Sequence, residues 1–267
     1  MKTLTLAAAL LVFALPGHAG EAWDGVREQL FASRPLNDGS DVIAIDAPYR
    51  TPDDGRTDLA AQIVAPKGLN IGAVTLVLDE NPMPVSAIFE LTTPLPSFYF
   101  DVTMRVNGPT PVHVIAETTD GQLWVAETFV KTSGLGACAA PPGTDPDEAL
   151  ATLGQMEIEM LAGLPQGTAG STLQSLRQSQ LDVHVSHPSH SGMQMDQISL
   201  LFIPMRYVEN VQIDLDGAGY VDLTGSISLS ENPRVGMSVP SSTRSVEVTM
   251  TDTDGTVSHA HKKFGGY

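Results

Sequence analysis

The chain contains one cysteine, Cys138, set in the stretch GLGACAA (134–140). A cysteine attacks as its thiolate, and it can hold a covalent sulfur adduct. Gly134 and Gly136 give the backbone freedom before it, and Ala137, Ala139 and Ala140 keep bulk away from the sulfur. Pro141-Pro142 stiffens the chain beyond it. This composition predicts an exposed thiol on a flexible tether of Gly134, Gly136, Ala137 and Ala139. A buried, inert cysteine is the alternative. The nearest cation along the chain is Lys131, while Asp145, Asp147 and Glu148 lie on the C-terminal side and disfavour a thiolate. At the ordinary thiol pKa of about 8.5 only a few per cent ionises at neutral pH. That suits a passive attachment point better than a hydrolytic nucleophile.

A second cluster is HVSHPSHSGMQM (184–195), which brings together His184, His187, His190, Met193 and Met195. Imidazole and thioether ligands suit copper(I). Pro188 and Gly192 instead read as the turns of a structural loop, and no metal is assigned here. His259 and His261 alternate on the final strand pattern and share one side, as on a solvated edge. Asp252 and Asp254 are turn residues. The chain lacks G-x-S-x-G, P-loop and H-E-x-x-H motifs and a nucleotide-binding glycine fingerprint, so neither an enzyme nor a cofactor is expected.

Charge narrows the partners. The 267 residues carry 14 basic and 31 acidic groups, net −17. Such acidity argues against nucleic acid, whose phosphates demand Lys and Arg. It suits a basic partner surface, such as that of a c-type cytochrome. The opening MKTLTLAAALLVFALPGHAG has a positive start, a short apolar run and a small-x-small site, which predicts a secretory leader over 1–19. Loss of Lys2 with it leaves net −18. No later apolar run is long enough to span a bilayer, so a soluble periplasmic protein is expected, without membrane contact.

The elements that must position Cys138 are mostly strands. EAWDGVREQLFASRP (21–35) places Trp23, Val26, Leu30 and Phe31 on one helical face, and Pro35 ends it. Val74 to Leu78 reads as a strand, and Val112 to Thr118 and Leu123 to Val130 flank Asp120-Gly121 as a hairpin. Residues 134–175 read as a Gly/Ala/Pro-rich linker, with one helix starting at Asp145 to Asp147 and running toward Met160. Strands are expected again at Ile198 to Ile203, Val211 to Leu215, Tyr220 to Leu223, Ile227 to Leu229 and Val246 to Met250. Both halves end with Thr-Asp-Gly between two strands, and Val74 to Leu78 matches Val211 to Leu215 in its distance from that turn. The fold class expected is all-β: two tandem sandwiches (20–133 and 176–267), with a short N-terminal helix and an interdomain linker.

The first half resembles the SoxY sulfur carrier through LVLDENPMP (76–84) and VIAETTDGQLWVAETFVKTSGLGAC (114–138). The second resembles SoxZ through HVSHPSHSGM (184–193), the Thr-Asp-Thr-Asp-Gly turn (251–255) and the last strand. The chain is thus similar to SoxYZ-like carriers, in the fused form associated with quinoprotein (PQQ-dependent) dehydrogenases. The resemblance implies immunoglobulin-like sandwiches and carriage in place of catalysis: thiosulfate-type sulfur intermediates joined covalently to Cys138 and presented to sulfur-oxidising enzymes. It also implies a quinoprotein dehydrogenase as a partner, and a monomer with a substantial interdomain contact. The family's Gly-Gly-Cys-Gly-Gly arm matches here only at Gly136 and Cys138, and the cysteine is internal. A second reading is a non-catalytic accessory protein of a PQQ-dependent alcohol dehydrogenase and its cytochrome c, such as one that oxidises methanol.

Overall fold

The computed structural model describes residues 19–134, 136–162 and 178–265. The expected leader therefore lies outside the described residues, apart from Ala19. Helix α1 (Ala19–Phe31) forms over the 3.6-residue apolar pattern. Its Trp23, Val26 and Phe31 cover Val77, Ile115 and Leu123 on the outside of a sheet, and the Trp23 ring stacks on His113 with centroids 3.9 Å apart.

The rest is β. The first half supplies β1 (Leu36–Asp38), β2 (Ile43–Asp46), β3 (Thr57–Val64), β4 (Ile71–Leu78), β5 (Val85–Leu95), β6 (Ser97–Met104), β7 (Thr110–Thr118) and β8 (Leu123–Val130). The second supplies β9 (Met156–Ala162), β10 (Gln178–Val185), β11 (Val208–Leu215), β12 (Ala218–Gly225), β13 (Arg234–Pro240), β14 (Ser245–Asp252) and β15 (Val257–Lys263). All-β, two-layered architecture with one N-terminal helix is thus observed, as the strand patterns indicated.

Two sheets form the layers. One has nine strands in the order β1-β8-β7-β4-β5-β12-β11-β14-β15; the other has six, β2-β3-β6-β13-β10-β9. Read outward from the β5–β12 and β6–β13 pairs, the halves run in matching order: β4 answers β11, β7 answers β14 and β8 answers β15. The repeat read from Val74 to Leu78 and Val211 to Leu215 is therefore a repeat in space. Both strand pairs at the junction are antiparallel, with Phe89 opposite Leu223 and Phe100 opposite Met237. In each sheet one half pairs with one edge of the other, so β5, β12, β6 and β13 are not left as open edges. One apolar core runs through both halves, from Leu59, Leu76 and Phe100 to Val211, Met237 and Val248. The expected interdomain contact is strand pairing and shared core.

Three local expectations need correction. The helix expected to run toward Met160 ends early: α2 spans Pro146–Thr152, capped by Asp145, whose carboxylate accepts the Asp147 and Glu148 N–H groups. Gly154 then turns left-handed (φ 76°), and Met156 starts β9. The alternation in Met156-Glu157-Ile158-Glu159-Met160 decides this: Ile158 is buried against the core, and β9 pairs with β10 along its length. The stretch read as linker thus contributes a strand. Ile198 to Ile203 is a loop, because the Asp196 carboxylate draws in the N–H groups of Ile198 and Ser199 and Leu200 adopts φ 57°. Ile227 to Leu229 is likewise a buried turn, in which Ser228 N–H donates to Ser226 Oγ.

Candidate functional site

Cys138 lies at the seam, and it is not exposed. Its residue accessibility is 0%, against the exposed thiol expected from its small neighbours. Gly136 sits at φ 98°, a left-handed conformation that glycine adopts freely, and leads into a 3-10 turn over Ala137–Ala139. That turn is held by its surroundings. Gly136 N–H donates to the Asn107 carbonyl at 2.8 Å, and Cys138 N–H donates to Asn107 Oδ1 at 3.1 Å. From the other half, the Ser191 hydroxyl donates to the Cys138 carbonyl, and Gln194 Nε2 donates to the Ala140 carbonyl at 3.0 Å. Upstream, the Thr132 hydroxyl donates to the Gly134 carbonyl at 2.5 Å. Gly136, Ala137 and Ala139, read as a tether, are therefore fixed in a turn: short side chains let two loops close over the cysteine as readily as they leave it bare.

Asn107 is itself positioned. Its N–H donates to Asn81 Oδ1 at 2.9 Å, and Asn81 Nδ2 donates to the Arg105 carbonyl and to Ser228 Oγ, both at 2.8 Å. Asn81 comes from the LVLDENPMP stretch. That motif thus supplies the first link of a buried network ending at the cysteine.

The HVSHPSHSGM stretch supplies the opposing clamp. His187 is buried; its Nδ1 accepts the Ser189 N–H at 2.9 Å, so Nε2 carries the proton and donates to Asp252 Oδ2 at 3.3 Å. Burial pushes the His187 pKa down to about 4, against the pull of Asp252, so the ring is neutral at ordinary pH. Asp252 is also held by Arg206 Nε at 2.8 Å. His190 bonds Gln194 through Nδ1, Met195 is half exposed, and His184 sits apart on β10. Both nitrogens of His187 are thus committed to holding the loop. Among the described residues, no group of three His, Cys, Asp or Glu side chains could hold a metal ion. His259 and His261 are exposed on edge strand β15, where His259 Nδ1 bonds the Thr249 hydroxyl.

The cation that matters to the thiol is Arg105, which local sequence does not single out. Lys131 is nearer along the chain, yet Arg105 is the charged group that acts on Cys138. It is 3% exposed, and its Nη1 donates to the carbonyls of Ser189 at 3.1 Å and Ile227 at 2.9 Å. Burial pushes the Cys138 thiol up, and Arg105 only partly opposes that. The thiol is therefore protonated at neutral pH. The signal that could have revealed Arg105 is its place closing the apolar run FYFDVTMRV (98–106): a cation there must be buried for a reason. Beside the cysteine turn lies a cavity of about 720 Å³ whose wall includes Arg105, Arg56, Ala137, Ala140 and Gln194.

The family comparisons fall on the two sides of this seam. The model of the sulfur oxidation protein SoxY matches residues 27–138 and so ends at Cys138; that of the sulphur oxidation protein SoxZ matches residues 174–263. The chain is a SoxYZ-like fusion. Among solved structures it is similar to the sulfur carrier protein SoxY from Chlorobium limicola f thiosulfatophilum, at 20% identity and TM-score 0.37, over 42% of this chain and 96% of that one. It is also similar to a superoxide reductase (neelaredoxin) from Ignicoccus hospitalis, at 16% identity and TM-score 0.25, over 34% of this chain and 80% of that one. No curated protein matches the chain. The SoxY and SoxZ matches in tandem support a sulfur-oxidation carrier role. The SoxY half provides Cys138 and Asn107; the SoxZ half provides Ser191 and Gln194.

Proposed function

We propose that this SoxYZ-like chain is a periplasmic carrier that holds thiosulfate-type intermediates covalently on Cys138 and presents them to partner oxidation enzymes. The observation that carries the reading is the position of Cys138. It is the last residue of the SoxY match, and it is gripped by residues of both domains. Loading joins the outer sulfur of thiosulfate to the Cys138 sulfur as an S–S bond. The thiol gives up its proton, and two electrons leave for an acceptor such as a c-type cytochrome. The excess of acidic groups favours docking on a basic cytochrome face. It also repels free anionic cargo, which is a reason to hold that cargo covalently.

The buried turn adds a requirement. Exchange with a partner needs the bonds from Asn107, Ser191 and Gln194 to open, so the described form is the closed one. Mass spectrometry of protein taken from thiosulfate-grown cells is expected to show sulfur adducts on the Cys138 peptide. A uniformly unmodified peptide would overturn carriage.

A second reading is favoured by the burial of Cys138: an accessory protein of a PQQ-dependent dehydrogenase and its cytochrome, in which the thiol is inert. Growth of a Cys138→Ala strain separates the two. Loss on thiosulfate alone supports carriage, and unimpaired growth on both thiosulfate and methanol supports the accessory role.

A further inference from the structure

The loop between β10 and β11 shows its apolar side chains to solvent. Ile198 is 94% exposed, and Leu200, Leu201, Phe202 and Met205 are each more than half exposed. Its polar groups are satisfied within the loop. The Asp196 carboxylate accepts the N–H groups of Ile198 and Ser199 at 3.2 and 2.6 Å and the Ser199 hydroxyl at 2.7 Å. Leu200 N–H donates to the Asp196 carbonyl, and Asp196 N–H to the Leu201 carbonyl, both at 2.9 Å. Met195 and Phe202 bridge the base of the loop. An ordered backbone thus presents the apolar side chains, which lowers the entropy cost of docking on them. An apolar patch of this kind marks a surface that another molecule covers.

The loop adjoins the cysteine turn. The Gln194 carbonyl accepts the Ile203 N–H at 2.8 Å, while the Gln194 side-chain amide donates to the Ala140 carbonyl. Gln194 also lines the cavity beside that turn, where Asp53, Asp54 and Glu231 outnumber Arg56 and Arg105. The wall continues through Gly143 and Thr144 into α2, where exposed Asp145, Asp147 and Glu148 add three more carboxylates. A body that reaches the cysteine turn therefore meets an apolar loop joined to an acidic rim.

Charge decides the occupant. A second copy brings the same net −17 and the same acidic rim, and is repelled. An anionic bilayer is repelled too; surface-bound segments use free Lys and Arg, whereas the loop's own cation, Arg206, is paired with Asp252 at 2.8 Å. Residues 163–177 of this chain hold only Leu164, Leu173 and Leu176 as large apolar side chains. We propose that Ile198, Leu200, Leu201, Phe202 and Met205 form a docking surface for a second protein, one whose apolar cleft is ringed by Lys and Arg. The cleft takes the loop, and the ring faces the acidic rim beside the cysteine turn. That the docked protein loads or unloads Cys138 rests on the carrier reading; the surface itself does not.

Photocrosslinking in cells tests this. Leu201 of the full chain is replaced by benzoylphenylalanine, with the same replacement of Lys67, on an exposed turn, as control. Irradiation is expected to join the chain through position 201, and not through position 67, to a protein with an excess of Lys and Arg, identified by mass spectrometry. A link to a second copy, within the chain, to lipid or to an acidic protein overturns the surface, as does no link. The captured protein is then purified and titrated with the mature chain by calorimetry. Ile198→Ser combined with Leu201→Ser should weaken binding roughly tenfold or more and leave the melting temperature unchanged, since both side chains are exposed. Should the pair lower the melting temperature, Ile198→Ser alone should still weaken binding about threefold or more. Raising sodium chloride from about 50 to about 300 mM should weaken it severalfold. Binding indifferent to the loop substitutions or to salt overturns the proposal. Crosslink and sulfur adduct are read separately: a missing crosslink with Cys138 adducts present defeats the surface alone, and a crosslink without adducts defeats carriage alone.

Discussion

The hydroxyl of Ser191 in the SoxZ half donates to the main-chain carbonyl of Cys138 at the end of the SoxY half. This bond joins the two family motifs across the seam, and it turns a stretch that reads as a free tether into a closed turn. Together with the two bonds to Asn107 and the one from Gln194, it sets the cost of releasing the cysteine. At about 1 kcal/mol net per bond, the released form would be near one molecule in a thousand.

Thiol labelling measures that opening. With Ellman's reagent the folded chain is expected to react at least a hundredfold more slowly than the same chain in denaturant. Ser191→Ala removes about 1 kcal/mol of closure and should raise the folded rate roughly fivefold. A rate unchanged by Ser191→Ala would show that another contact limits access.

Acid should destabilise the fold through His187. In the unfolded chain this ring protonates below its ordinary value of about 6.5, while in the folded chain it stays neutral down to about 4. The unfolded state therefore binds more protons in that window, and stability is lost as pH falls from 6.5 toward 4. The loss is on the order of 3 kcal/mol. Urea midpoints measured across the window check it: His187→Gln, less stable at pH 7, should show a flatter acid limb.

Alkali acts through the thiol. Burial raises the Cys138 pKa, so above about 8.5 the unfolded chain ionises while the folded chain does not. Stability is fully present below that value and is lost as pH rises through the folded-state pKa. Cys138→Ala should remove this part of the alkaline limb, and an identical limb in the variant would argue that other groups cause it.

The seam makes the two halves one folding unit. Phe89 sits opposite Leu223 on the joining strands and stacks on Phe100, with ring centroids 4.7 Å apart. Phe89→Ala should cost about 3–5 kcal/mol and shift a single unfolding transition to lower temperature. Calorimetry resolving two independent transitions in the wild-type chain would contradict a shared core.

Packing within the second half can be tested at a glycine on β12. A Cβ on Gly225 would come within 2.5 Å of both the Val208 carbonyl oxygen and Leu229 Cδ1. Gly225→Ala is therefore expected to destabilise by about 1–3 kcal/mol, measured by denaturant unfolding.

Much of this was written locally in the chain. Alternation in Val246 to Met250, the Asp-Gly turns at 120–121 and 254–255, and the helical spacing of Trp23, Val26 and Phe31 mark their elements directly. The matching of Val74 to Leu78 with Val211 to Leu215 already contains the repeat, and Cys138 stands out as the one thiol. Short-range periodicity and composition determine these features, since they depend on neighbours a few residues apart.

The tertiary structure decided what surrounds the thiol. Small residues beside Cys138 permit exposure and close packing alike; the choice was made by Asn107, Ser191 and Gln194, which reach it from distant loops. Which strand edges meet also lies beyond local pattern: β5 and β12 carry the same alternation as their neighbours, and only the filling of a common core pairs them. The same packing buries Arg105 near Cys138, so the charge acting on the thiol comes from a strand end 33 positions away rather than from Lys131.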